Sequence, residues 1–124
     1  MVAILIIEDD IDLAETYVDL LETHGHTLWT ATTVQTAVEL IQQIKPEIVI
    51  LDLNLPDNSG LVVIRYIHAH RLSDIRLIIV SGHSEMAHHA ELADTSDLVL
   101  TKPVSNDQLL TLIERISRPT RSSN

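Results

Sequence analysis

Cysteine and phenylalanine are absent from this chain of 124 residues, and Trp29, Tyr17 and Tyr66 are its only aromatic side chains apart from histidine. Without cysteine there are no disulfides, no thiolate metal sites and no thiol nucleophiles. Without phenylalanine the core must be built from Ile, Leu, Val and Ala, and an apolar content of 45% is enough for one domain. Basic residues are scarce: 8 Lys and Arg against 18 Asp and Glu leave a net charge of -10. Such a surface lacks phosphate-neutralising charge, so this chain is not expected to bind nucleic acid by itself. No apolar run is long enough to span a membrane. Residues 1–7 are apolar but brief, lack a basic leader and run into three acids. That is the pattern of a strand, not a signal peptide, and a cytoplasmic protein is expected.

What is present is organised around Ile48-Val49-Ile50-Leu51-Asp52, followed by Leu53-Asn54-Leu55-Pro56-Asp57-Asn58-Ser59-Gly60. Four apolar residues, three of them β-branched, read as a strand buried on both faces that ends in one carboxylate and a turn-forming loop. Val2 to Ile7 reads as a similar strand ending in Glu8-Asp9-Asp10. A helix is expected from about Asp12, with Ala14, Tyr17, Val18 and Leu21 inward and Gly25 ending it. Thr27 to Thr30 suits an edge strand, and Thr32 and Gln35 have capping-box spacing before a second helix. That helix carries Val34, Ala37, Val38 and Ile41 on one face and stops at Pro46. A third helix is predicted over Leu61 to His70, then a strand over Leu77 to Val80 ending at Ser81. Ser84 begins a predicted fourth helix through Ala93. Leu98 to Leu100 forms a short fifth strand before Thr101-Lys102-Pro103, and Ser105 and Gln108 repeat the capping-box spacing ahead of a last helix. Leu109, Leu112, Ile113 and Ile116 line that helix.

Five strands alternating with five helices predict an α/β fold, a doubly wound five-stranded parallel sheet of the flavodoxin-like (βα)5 type. The polar second and fifth strands belong at the edges, which favours the order 2-1-3-4-5. A single domain is expected over residues 1–117. Residues 118–124 are a polar tail, either a frayed terminus or the start of a linker.

In such a sheet the carboxyl ends of the strands open on one edge, where ligands bind. Glu8 and Asp9, Asp52, Ser81 and Lys102 follow or end four of the five strands. Three carboxylates brought together raise one another's pKa, and a hard cation such as Mg²⁺ resolves that repulsion. With an ammonium and a hydroxyl beside it, Asp52 is placed to attack an incoming phosphoryl group.

The segments Ile4-Leu5-Ile6-Ile7-Glu8-Asp9-Asp10, Leu51-Asp52-Leu53-Asn54-Leu55-Pro56 with Gly60, Val80-Ser81-Gly82 and Leu100-Thr101-Lys102-Pro103 occur in order across residues 2–117. Together they resemble the receiver domain of two-component response regulators. The resemblance implies that Glu8, Asp9 and Asp52, with the backbone carbonyl of Asn54, hold Mg²⁺. It implies Asp52 as phospho-acceptor, Lys102 as partner of the phosphoryl oxygens, and Ser81 as a donor that moves toward the phosphoryl group. Pro103 matches a proline that is usually cis, and Gly60 a structural glycine. The phosphoryl donor would be a sensor histidine kinase or a phosphotransfer protein, and the output a downstream effector domain or protein. The domain would not be an enzyme in the ordinary sense, although it assists its own phosphorylation and dephosphorylation.

One position departs from the family. Val99 stands three residues before Lys102, where an aromatic ring is common, and it has far less area and a stiff χ1. Either the output surface is read differently, or the chain is a phosphate relay. His83, two residues past Ser81, either modulates access of water to the phosphoryl group or is solvated loop. The other histidines read as surface residues, Asp57 as a turn residue, Trp29 as edge packing, and Tyr17 and Tyr66 as partial core. Two alternatives remain: a phosphorylation-independent scaffold of the same fold, and an aspartyl-nucleophile phosphohydrolase. The latter typically wants an acid two residues after the nucleophile, where this chain has Asn54.

Overall fold

Continuous β-branched and leucine runs bury both faces of a strand, and the computed structural model places them as the centre of one sheet. It describes residues 2–72, 74–82 and 98–117. The predicted fourth helix over Ser84 to Ala93, His83 and the tail from residue 118 lie outside the described residues. The elements run β1 (Ala3–Ile7), α1 (Ile11–Thr23), β2 (Thr27–Ala31), α2 (Val34–Ile44), β3 (Ile48–Asp52), α3 (Leu61–Ala69), β4 (Arg76–Ser81) and β5 (Leu98–Thr101). A last described helix, α4, spans Asn106–Ser117. All strand pairs are parallel, in the expected order β2-β1-β3-β4-β5.

The strand period of two sorts the core into two layers. Leu5, Ile7, Val49, Leu51, Leu77 and Ile79 pack with α2 and α3 on one face. Ile4, Ile6, Ile48, Ile50, Ile78 and Val80 pack with α1 and α4 on the other. The inward residues of the helices are those the 3.6 period predicts: Ala14, Tyr17 and Leu21 in α1, Val34, Ala37 and Ile41 in α2, and Leu109, Leu112 and Ile113 in α4. Trp29 is half-buried on edge strand β2, against the α2 and α3 layer.

The helix ends refine the expectations. Asp10 caps α1, its carboxylate accepting the Leu13 N–H at 3.1 Å, so the helix starts at Ile11, in line with the start expected at about Asp12. Gly25 follows the end of α1 with φ 93°, the left-handed turn expected of it. The cap of α2 is Thr33, not the predicted Thr32 and Gln35 box. Thr33 is extended (φ -137°, ψ 161°), which aims its hydroxyl at the Thr36 N–H, 3.2 Å away. The box at the start of α4 is formed as predicted: the Gln108 N–H donates to Ser105 Oγ at 3.0 Å and the Ser105 N–H to Gln108 Oε1 at 3.3 Å. Among the described residues no helix is long and apolar enough to cross a membrane.

Candidate functional site

The register of the sheet builds the site. Ile7 pairs with Leu51, so Glu8 leaves β1 beside Asp52, the last residue of β3. Asp52 pairs with Val80, and Ser81 pairs with Thr101, which brings the end of β4 and the start of the Lys102 loop to the same edge. The main chain reinforces this edge. The Glu8 N–H donates to the Ala31 carbonyl at 2.9 Å, and the Lys102 N–H to the Ser81 carbonyl at 2.8 Å.

Three carboxylates converge there. Single oxygens of Glu8, Asp9 and Asp52 lie within 4.8 Å of one another, the one such trio of ligand-type side chains among the described residues. Glu8 and Asp52 are each only 3% exposed, whereas Asp9 faces solvent. Lys102 Nζ lies 3.2 Å from Asp52 Oδ2 and 3.5 Å from Glu8 Oε1, bridging the two buried acids. The other Asp52 oxygen, Oδ1, accepts the Asn54 N–H at 3.0 Å, and Glu8 Oε2 accepts the Asp10 N–H at 3.2 Å.

These contacts do not balance the charge. Burial first, and the Asp52 carboxylate second, push Glu8 up to about 7, against the opposing pull of the Asp10 amide and the Lys102 ammonium. Burial acts to lower Lys102, but the two carboxylates outweigh it and its pKa is raised. The pocket therefore holds more negative charge than its one ammonium can neutralise. Oxygen donors from carboxylates, open to solvent on the Asp9 side, suit a hard divalent cation that keeps some of its water.

The remaining expected positions fall around this cluster. Ser81 is fully buried at the end of β4. The Lys102–Pro103 peptide is cis. Gly60 begins α3 against the site: a Cβ there would lie 2.8 Å from both the Asp52 carbonyl oxygen and Leu53 Cα, so no larger residue fits without backbone movement. Asn54 is exposed and forms a bridge with Ser59 across the loop. Val99 pairs with Ile79 in β5 and is half-buried against the α2 and α3 layer, on the strand that leads to Lys102. His24, His68 and His70 are exposed and His26 half-buried, and none joins the carboxylate trio.

Two residues have more to do with the site than their sequence positions suggest. Tyr17 is 3% exposed, more deeply buried than partial core, and with Leu13, Lys102, Pro103 and Val104 it lines a recess beside the pocket. Burial, and then the Glu8 carboxylate, raise its phenol pKa. Asp57 is not only a turn residue. Its carboxylate accepts the Val34 N–H at 2.9 Å and the Gln35 N–H at 3.2 Å, reaching from the loop after Asp52 to the first turn of α2. The partners stand more than twenty positions earlier, so no local spacing could announce the contact.

The same segments align with known proteins. The model of the response regulator receiver domain matches residues 4–114. The transcriptional regulatory protein KdpE of Staphylococcus aureus is 34% identical over 125 residues, covering 98% of this chain and 53% of the relative. The cell cycle transcriptional regulator CtrA of Caulobacter vibrioides is 31% identical over 116 residues, covering 93% of this chain and 50% of the relative. The chain thus spans about half the length of the curated relatives it matches. Among solved structures, the signal receiver domain of a putative Luxo repressor protein from Vibrio parahaemolyticus superposes with a TM-score of 0.84 at 28% identity, over 92% of this chain and 88% of that one. The receiver domain of the Francisella response regulator 1452 shares the fold, with a TM-score of 0.84 at 23% identity over 94% and 96% of the two chains.

Proposed function

The chain belongs to the response regulator receiver domain family, and from that premise we propose that it is a signalling module accepting a phosphoryl group on Asp52. The observation that carries this reading is the convergence of three acids, two of them bridged by one ammonium, with a buried Glu8 held up to about 7. Bound between Glu8, Asp9, Asp52 and the Asn54 carbonyl, Mg²⁺ would supply the missing positive charge and draw in a phosphoryl oxygen.

In the proposed transfer a carboxylate oxygen of Asp52 attacks the phosphorus of a phosphohistidine on a sensor kinase or phosphotransfer protein. The P–N bond breaks as the P–O bond forms, and the imidazole leaves with a proton taken from solvent. Lys102 swings its ammonium from the carboxylates to the phosphoryl oxygens, and the Ser81 hydroxyl donates to another of them. Hydrolysis reverses the attachment: water attacks phosphorus, phosphate leaves, and the carboxylate of Asp52 is restored. Turnover of a diffusible substrate is not the purpose, so the module is read as a phospho-acceptor and not as an enzyme.

Residues 1–117 form the proposed receiver, working in the cytoplasm, with its output passed to an effector segment or partner protein. With a net charge of -10, the chain itself is not the part that would meet nucleic acid. The relatives named as transcriptional regulators are about twice its length, which is consistent with that division. Val99 gives the fifth strand no ring to swing. The output surface is therefore read through smaller displacements of β5 and its flanks, or the phosphoryl group is relayed onward.

Incubation with Mg²⁺ and acetyl phosphate, followed by mass spectrometry, tests the proposal. A phosphoryl adduct that requires Mg²⁺ and disappears in Asp52→Asn is the expected result. A wild-type protein with no adduct and no Mg²⁺-dependent amide shifts would leave the scaffold reading in its place.

A further inference from the structure

The loop between β3 and α3 is closed at both ends. At its root, the Asn54 N–H donates to Asp52 Oδ1 at 3.0 Å, Asn54 bridges to Ser59, and the Gly60 N–H donates to the Leu53 carbonyl at 2.9 Å. At its tip, both carboxylate oxygens of Asp57 accept amides of the first turn of α2, Val34 at 2.9 Å and Gln35 at 3.2 Å. That turn begins only a few residues after Ala31, whose carbonyl accepts the Glu8 N–H at 2.9 Å. These separate hydrogen bonds, joined by short stretches of covalent backbone, therefore lead from Asp52 along the loop, across through Asp57 to α2, and back to Glu8 through the end of β2.

We infer that Asp57 is a positioning residue for the acid pocket, its carboxylate clasping the β3–α3 loop to α2 so that Asp52, the Asn54 backbone and Glu8 keep a fixed spacing. The inference rests on the receiver reading for its functional consequence. Its physical basis is independent of that reading. Amides at a helix start lack intrahelical partners, and Thr33 supplies only the Thr36 N–H, so Asp57 completes the cap from a distant segment. The helix amides in turn hold the Asp57 carboxyl below the usual carboxylate range, Val34 foremost. At neutral pH the clasp is ionised and closed. Groups that orient metal-binding carboxylates without touching the metal set affinity by holding the spacing of the ligands.

The test compares wild type with Asp57→Ala, Asp57→Asn and Val34→Pro. Proline at the first helical position removes the N–H that Asp57 Oδ1 accepts, yet fits the helix start. It also needs an extended residue before it, which Thr33 already is. In Asp57→Ala the Mg²⁺ concentration giving half-maximal phosphorylation by acetyl phosphate should rise about tenfold, the usual scale for an orienting residue around a metal. The rate at saturating Mg²⁺ should stay within about twofold, because the reacting groups are intact. Asp57→Asn, with one acceptor left, should fall between wild type and Asp57→Ala. Val34→Pro should raise the requirement by a larger factor in wild type than in an Asp57→Ala background, because the lost valine contacts are common to both and cancel from the difference.

A second readout needs no metal: amide exchange at Asn54 and Gly60 in the ligand-free protein should accelerate in Asp57→Ala. Wild-type exchange together with a wild-type Mg²⁺ requirement would overturn the inference. If wild type itself neither binds Mg²⁺ nor takes up phosphoryl, the receiver reading fails. Amide exchange then still decides the clasp, sustained by acceleration in Asp57→Ala and overturned by wild-type protection.

Discussion

Glu8 is a carboxyl buried beside a second carboxyl. Burial and the neighbouring Asp52 lift its pKa from the ordinary carboxylate range to about 7. A group whose pKa is raised on folding contributes stability that is fully present below its unfolded pKa and is lost as pH rises through the folded one. The protein without metal should therefore lose stability between about pH 4.5 and pH 7.5, by about 3 kcal/mol from this group alone. Urea unfolding in a chelator across that range checks the slope. With Mg²⁺ present the trend should flatten or reverse, since the cation binds the ionised form and its affinity should grow up to about tenfold per unit below pH 7. An unchanged slope in Glu8→Gln would show that Glu8 ionises as it does in water. Asp52→Asn, by removing the adjacent charge, should move the slope to lower pH.

The elements are specified by local rules wherever a local rule exists. The Ser105 and Gln108 box at the start of α4 is the clearest case, with both reciprocal bonds in place. Ser105→Ala should cost about 1 kcal/mol, the ordinary worth of a side-chain cap. Hydrogen exchange should report that loss first at the amides of the opening turn of α4, with β1 and β3 unaffected. Undiminished stability would mean that the packing of Leu109, Leu112 and Ile113 alone holds the helix. The start of α2 shows where the local rule fails. Spacing alone offers Thr32 with Gln35, but the backbone places Thr33 at the cap and fills the neighbouring amides from Asp57. A threonine pair leaves the choice of cap to the geometry of the chain entering from β2.

At the scale of the molecule, two layers of aliphatic side chains on either face of a parallel sheet must hold together 18 acids and 8 bases. Net charge of this size repels itself in the compact state. Raising NaCl from about 0.02 M to about 0.2 M shortens the Debye length to below about 10 Å and should stabilise the protein by about 1 kcal/mol. Mg²⁺ at millimolar concentration should stabilise it beyond an ionic-strength match of NaCl, because specific binding adds to screening. Thermal unfolding in matched NaCl and MgCl₂ separates the two effects. Equal shifts in both salts would argue that the acid pocket takes no specific cation.

The sequence by itself determined the layer architecture, the strand order and the convergence of Glu8, Asp9, Asp52, Ser81 and Lys102 on one sheet edge. The reason is that alternation of period 2 and 3.6, glycine and proline stops, and strand-terminal polar residues are all local, and a parallel sheet has only one carboxyl edge. Tertiary structure alone decided that Lys102 bridges Glu8 and Asp52, that Tyr17 is buried beside them, and that Asp57 caps a helix more than twenty residues earlier in the chain. Those contacts join segments far apart in the chain. Burial and Coulomb forces act through space, so the pKa of Glu8 and the grip of Asp57 exist only once β1, β3 and α2 have been packed together.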